Sequence, residues 1–159
     1  MAELVRTDGG FDLVLRRTFA TSPEDVWADV TQPHRTALWF GPWEGEGAPG
    51  KTVRVQMVFE EGKPWIDMRV DACEAPRRLA LLGMEDAGGW PMELLVSEVE
   101  DGTELRLVHH LTSTDGIGEI GPGWEYYLDL LVAARDDSVR PSFDEYYPAL
   151  KASFEALRA

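Results

Sequence analysis

The sequence predicts an α+β fold, an antiparallel sheet of about six strands covered by one long C-terminal helix, on three observations. Apolar and polar residues alternate with a period of two through most of the segment 51–112, the pattern of half-buried strands. Asp101-Gly102 sits between two such runs and is a strong hairpin signal. Trp124, Tyr127, Leu128 and Leu131 then fall at i, i+3, i+4 and i+7, which places them on one face of a helix.

Each element has a local cause. Residues 1–10 read as a flexible lead. In the first strand Phe11, Leu13, Leu15, Arg17 and Phe19 share one face, with Asp12, Val14, Arg16 and Thr18 on the other. Ser22 then offers a side-chain cap, Pro23 suits the first helical position, and Glu24 and Asp25 complement the positive end of the helix dipole. This short helix buries Val26, Trp27 and Val30. Gln32-Pro33 starts a second short helix over 34–40, which stops at Gly41-Pro42. The loop 41–50 carries four glycines and two prolines.

Strands follow at 53–59 and, after the turn Glu61-Gly62-Lys63-Pro64, at 66–73. Segments 78–84, 91–99 and 103–112 complete a meander. The long helix opens on Gly121-Pro122-Gly123 and runs to 137, about 21 Å at a rise of about 1.5 Å per residue, enough to cross several strands. Pro141 ends it, and Ser142 with Glu145 has capping-box spacing for an appended helix within 142–159.

The 159 residues suit one domain, 1–159, able to bury a core of its own. With 15 basic and 29 acidic residues the net charge is -14, which repels phosphate backbones and anionic headgroups, so neither nucleic acid nor a membrane surface is an expected partner. Cys73, the single cysteine, reads as an inert core thiol. The start MAELVRTDGG lacks a basic segment followed by an apolar run, and a cytoplasmic location is the expectation.

One stretch, GEGAPGKT at 45–52, fits the phosphate-loop pattern at every fixed position. That loop works only between a strand and a helix, because a helix amino terminus and successive amides must converge on the phosphates. Here Thr52 leads into a strand, and Trp39-Phe40-Gly41-Pro42-Trp43 before the loop is no apolar strand. The stretch is read as a turn and Lys51 as a solvated charge; no nucleotide or other cofactor is expected. No metal is expected either, since His109 and His110 are neighbours on one strand and point to opposite faces. His109 shares the inward face with Leu105 and Leu107 and reads as a hydrogen-bonded core histidine, with His110 turned to solvent. Asp67, Arg69 and Asp71 form a solvated ladder; alternation leaves open whether Glu93 and Ser97 face a cavity.

Strand, two short helices, meander and long helix is the order of the helix-grip architecture. The chain resembles the SRPBCC or START-like superfamily and, within it, the family of the activator of the 90-kDa heat-shock protein ATPase. The matching pieces are Ser22-Pro23-Glu24-Asp25-Val26-Trp27, Leu38-Trp39-Phe40, Pro49-Gly50, Leu105-Arg106-Leu107-Val108-His109 and Gly123-Trp124, in the family's order over 20–137. The resemblance implies a curved sheet wrapped around the long helix, with an apolar pocket between them. Trp39, Phe40, Trp43, Met57, Met68, Met92, His109, Trp124, Tyr127 and Leu131 are the candidate lining, although the same side chains would equally fill a solid core.

Three functions fit the resemblance. The preferred one is a binding module for a small apolar or aromatic molecule. The second is a co-chaperone-like interaction domain that presents its acidic surface and exposed Trp or Tyr side chains to a protein partner. The third is an enzyme resembling polyketide cyclases and aromatases, with His109, Tyr127 or an acid as proton carrier. A monomer and a homodimer fit equally.

Overall fold

The computed structural model describes residues 2–85 and 88–158. Its elements in chain order are β1 (Glu3–Thr7), β2 (Gly10–Phe19), α1 (Pro23–Thr31), α2 (Pro33–Thr36), β3 (Trp43–Glu44), β4 (Thr52–Gln56), β5 (Trp65–Glu74), β6 (Arg78–Glu85), β7 (Gly88–Val99), β8 (Gly102–Leu111), α3 (Ile117–Asp136) and α4 (Lys151–Glu155). Among the described residues the strands form one antiparallel sheet in the order β1-β2-β8-β7-β6-β5-β4-β3. The fold is α+β, with the sheet curved about α3.

The sheet has eight strands instead of about six. One extra strand is β1, in the segment read as a flexible lead: Glu3–Thr7 pairs with β2 across Asp8-Gly9. Asp-Gly is the same hairpin signal as at 101–102, but the run before it holds too few apolar residues to show alternation. The other is β3, two residues that pair with Val55 and Arg54 from inside the glycine-rich loop. β4 ends at Gln56 instead of 59 because the chain turns there, the Met57 amide donating to the Pro64 carbonyl.

The helices also depart from expectation at their ends. In α1, Ser22 caps as predicted, its hydroxyl accepting from the Asp25 amide at 3.2 Å, and Pro23 opens the helix. α2 is one turn, Pro33–Thr36, and continues to Phe40 only as tight turns, because the Thr36 carbonyl takes the amides of Phe40 and Gly41 together. α3 begins at Ile117, a turn before the expected Gly121, and holds Pro122 inside it. Pro122, the sixth residue of the helix, has no amide proton to give the Gly118 carbonyl, so α3 lacks that hydrogen bond. After Ser142, whose capping box with Glu145 is present, the chain makes a single turn and then the short α4 instead of one appended helix. Residue 159, included in that expected helix, lies outside the described residues.

The core lies between the concave face of the sheet and α1, α3 and the turns after α2. Leu13 and Leu15 of β2, Leu105 and Leu107 of β8, and Leu128 of α3 are fully buried against one another's elements. Where α4 crosses α3, a Cβ on Gly121 would come within 2.1 Å of the Phe154 ring, so this approach requires glycine. Among the described residues no helix is long and apolar enough to cross a membrane.

Charge fixes how the helices sit. Asp25 and Asp29, one turn apart on α1, both take Arg35 and Arg135: Arg135 donates to Asp29 at 2.7 Å and Asp25 at 2.6 Å, and Arg35 to Asp29 at 2.9 Å and Asp25 at 2.8 Å. Asp29 is almost fully buried. Arg17, the one charge on the inward face of β2, meets Glu125 at 2.8 Å and Asp129 at 3.0 Å on α3. Removing one partner of a buried ion cluster leaves an uncompensated charge. Arg135→Ala is therefore expected to lower the unfolding free energy in urea by about 2–3 kcal/mol, Arg35 retaining part of the compensation. Arg69→Ala, which breaks the exposed pair with Asp71, is expected to change it by less than about 0.5 kcal/mol.

Candidate functional site

β8 carries Leu105, Leu107 and His109 inward by simple alternation, and the antiparallel register sets Met92 of β7 opposite His109. Two residues before Met92, on the same face, stands Trp90. Its indole lies across β6 at Gly83, its register partner, where a Cβ would come within 2.0 Å of the ring. Only glycine at 83 allows this wall.

α3 supplies the facing wall. Trp124 and Tyr127 project toward the strands, and Phe40 joins them from the turns after α2. Ring centroids are 6.0 Å apart for Trp90 and Trp124, 6.1 Å for His109 and Trp124, and 5.5 Å for Phe40 and Tyr127. These side chains enclose a cleft of about 460 Å³, within the roughly 300–1,000 Å³ typical of small-molecule sites. Met57, Ile66 and Ile120 complete its apolar walls, and the exposed carboxylates Glu60, Asp115 and Glu119 stand at its opening. Neither lysine nor arginine is among its described lining residues.

The polar groups inside are in defined states. The Trp124 indole N–H, which can only donate, gives its proton to His109 Nδ1 at 3.0 Å. A neutral His109 therefore carries its own proton on Nε2. Burial, helped by the neighbouring His110, lowers the His109 pKa to about 4, so the ring is neutral at physiological pH. His109 Nε2 has no protein partner among the described residues, and it is not one of their sealed, unpartnered atoms. The ring is part of the wall of the cleft. The Tyr127 hydroxyl donates to Glu60 at 2.7 Å, and burial together with that carboxylate keeps the phenol protonated.

A second, smaller cavity of about 100 Å³ lies deeper, between the sheet, α1 and the loop 41–50. Val30, Trp39, Phe40, Trp43, Met68 and Met92 are among its walls. Gly47 roofs it, so close to the Trp43 ring that a Cβ would stand 2.9 Å away.

The ten candidate lining residues thus divide. Phe40, Met57, His109, Trp124 and Tyr127 line the cleft, while Trp39, Trp43, Met68 and Met92 line only the inner cavity. Leu131 lines neither and is packed in the core. Trp90, Ile66 and Ile120 were missed. Trp90 had a signal, a tryptophan one residue ahead of an alternating run, but its contact with Gly83 depends on strand register. Glu93 belongs to the outer face, where it accepts from Arg78 at 2.6 Å.

His110 is not a freely solvated side chain. It lies on the outer face as expected, but half-buried, with Nδ1 2.6 Å from Asp12 and Nε2 2.6 Å from Glu93. Desolvation pulls its pKa down, but the two carboxylates together outweigh it and the pKa is raised.

The family model described as Activator of Hsp90 ATPase homolog 1-like protein matches residues 20–135. Among solved structures, the crystal structure of CalU16 from Micromonospora echinospora is 26% identical, with a TM-score of 0.79 over 99% of this chain and 95% of that one. The solution structure of the protein encoded by BPP1335 from Bordetella parapertussis is 20% identical, TM-score 0.75, covering 91% of this chain and 84% of that one. DynU16, a protein in the dynemicin biosynthetic locus, is 18% identical, TM-score 0.71, covering 86% of this chain and 51% of that one. At these last two identities the likeness is one of fold. No curated protein matches the chain.

The two histidines give opposite pH dependences in separate windows. His109 binds its proton in the unfolded chain near pH 6.5 but in the folded protein only near 4, so its contribution rises with pH between those values. His110, whose folded pKa is raised, stabilises fully below about 6.5, and that contribution is lost as pH climbs through the folded value. Urea unfolding across pH 4–9 is expected to show a flatter acid limb for His109→Gln than for wild type, and a flatter alkaline limb for His110→Gln. Parallel curves for all three proteins would contradict the assignment.

Proposed function

The chain belongs to the Activator of Hsp90 ATPase homolog 1-like protein family, and we propose that it is a binding module for a small aromatic molecule that carries a hydrogen-bond acceptor. The observation that supports this reading is the cleft itself: about 460 Å³, walled by Phe40, Trp90, Trp124 and Tyr127, with the His109 Nε2–H donor unpartnered among the described residues. Aromatic walls favour a flat ring, which offset stacking and edge contacts hold. A ketone or phenol oxygen within reach of Nε2 restores a hydrogen bond that an apolar ligand would leave unmade.

Charge narrows the class further. Three carboxylates stand at the opening, neither lysine nor arginine lines the cleft among the described residues, and the chain carries a net charge of -14. An anionic ligand would lose its hydration without gaining a counter-ion, so the cleft suits neutral or positively charged molecules. The cleft, with the volume and aromatic walls of a small-molecule site, favours small-molecule binding over the co-chaperone reading. A proton-carrier role would require His109 to ionise, and its lowered pKa makes it a donor of one fixed hydrogen bond at neutral pH.

The test uses 2-acetylnaphthalene, a neutral bicyclic ketone, beside 2-ethylnaphthalene, which lacks the oxygen. At a hundredfold excess over Kd, the ketone is expected to stabilise the fold by ~2.7 kcal/mol and raise the melting temperature by about 5–10 °C. His109→Phe is expected to weaken the ketone about 3–10-fold and the hydrocarbon by less than about twofold. Absence of binding by either compound would overturn the reading.

A further inference from the structure

We propose that Phe40 is a movable partition between the cleft and the inner cavity, and that the inner cavity seats a short hydrocarbon tail of the ligand. This rests on the binding reading above and deepens it, from an aromatic head alone to a head with an alkyl tail of limited length.

Phe40 is the only residue common to the described linings of the two cavities. Its ring stacks on Trp124 at 6.2 Å and meets Tyr127 edge-on at 5.5 Å on the cleft side, and lies 5.6 Å from Trp39 on the inner side. The backbone beside it is fixed. Gly41, the next residue, lies so close to β4 that a Cβ would come within 1.9 Å of the Gln56 carbonyl oxygen. The soft coordinate at this position is the side-chain torsion.

The other aromatic walls of the inner cavity are pinned where Phe40 is not. Trp39 donates its indole N–H to the Asp29 carbonyl at 2.8 Å, and Trp43 to the Thr31 carbonyl at 2.9 Å. Turning either ring would break a hydrogen bond, whereas turning Phe40 exchanges one set of dispersion contacts for another. Phe40 is therefore the wall that yields.

What lies behind it suits hydrocarbon and little else. The hydroxyls of Thr31 and Thr36, the polar side chains at this cavity, already donate at 2.7 Å to the carbonyls of Trp27 and Gly41. Beyond these hydroxyls the lining offers a water only the weak donor of the free Cys73 thiol, so a water there would be poorly held. At about 100 Å³ the space is smaller than the ~150 Å³ that admits benzene, so it takes a short alkyl chain and excludes a second ring.

The test measures Kd for 2-naphthyl alkyl ketones with acyl chains of two, four and six carbons, against wild type, Phe40→Ala, Phe40→Leu and Phe40→Trp. Each methylene moved from water into the cavity is worth about fourfold in affinity. The ratio of the two-carbon to the six-carbon Kd is expected to rise at least about tenfold in Phe40→Ala relative to wild type, and to fall in Phe40→Trp. Phe40→Leu, which keeps an apolar side chain, is expected to move the ratio in the direction of alanine and serves if Phe40→Ala melts early by circular dichroism. Equal ratios in wild type and the variants, with the two-carbon ketone still bound, would overturn the partition and leave the binding reading standing. Failure of every ketone to bind wild type would overturn both.

Discussion

The architecture depends on how α3 is held over the sheet, and charge decides that as much as apolar contact does. Arg17, from the inward face of β2, reaches Glu125 and Asp129, while Arg135, near the other end of the helix, locks onto Asp25 and Asp29 of α1. Between these ties Leu128 and Leu131 pack into the core. The helix is thereby fixed along its carboxyl-terminal part. Its first turns, with Ile120, Trp124 and Tyr127, form the wall of an open cleft instead of sealing onto the strands. An apolar side chain in place of Arg17 would leave Glu125 without its ion-pair partner and Asp129 with only the Tyr146 hydroxyl, which donates to it at 2.7 Å.

Within the cleft the hydrogen bond between Trp124 and His109 connects fold to chemistry. It joins the helix to β8 and fixes which nitrogen of the imidazole carries the proton. Because the ring is buried it stays neutral, so His109 presents a donor of fixed direction among aromatic surfaces. On the other face of the same strand His110 has the opposite character, gripped by Asp12 and Glu93, which raise its pKa. The pleat of a strand sends two neighbours of the same residue type into different dielectric surroundings.

Much of this was legible before any coordinates. The helix cap at Ser22, the meander, the hairpin at 101–102 and the inward face of β8 followed from local rules. Strand β1 had the same Asp-Gly signal, overlooked because the run before it was short. The two-residue β3 had no signal of its own, since two residues set no period. The phosphate-loop letters of 45–52 are a roof: Gly47 lies over Trp43, and Gly50 has a positive φ of 86° where the chain turns into β4. The lining residues named from the sequence were inward-face residues of the strands and the long helix, His109 among them, which alternation and helical spacing identify, and the aromatic cluster Trp39, Phe40 and Trp43 beside the glycine-rich loop. Their division into a cleft, a separate inner cavity and a solid core followed no such rule.

By itself, then, the sequence determined which face of the strands turns inward and that α1 starts at the Ser22 cap. These properties depend on neighbours a few residues apart, where the periods of helix and strand act. Tertiary structure alone decided that empty space remains, where it lies and what faces it. A void is the difference between the shape of the sheet and the shape of the helix laid across it, and it depends on contacts such as Trp90 on Gly83 and Arg17 on Asp129 between residues far apart in the chain. No local period records such contacts, so the cleft, the neutral His109 within it and the Phe40 ring beside it appear only when the chain is folded.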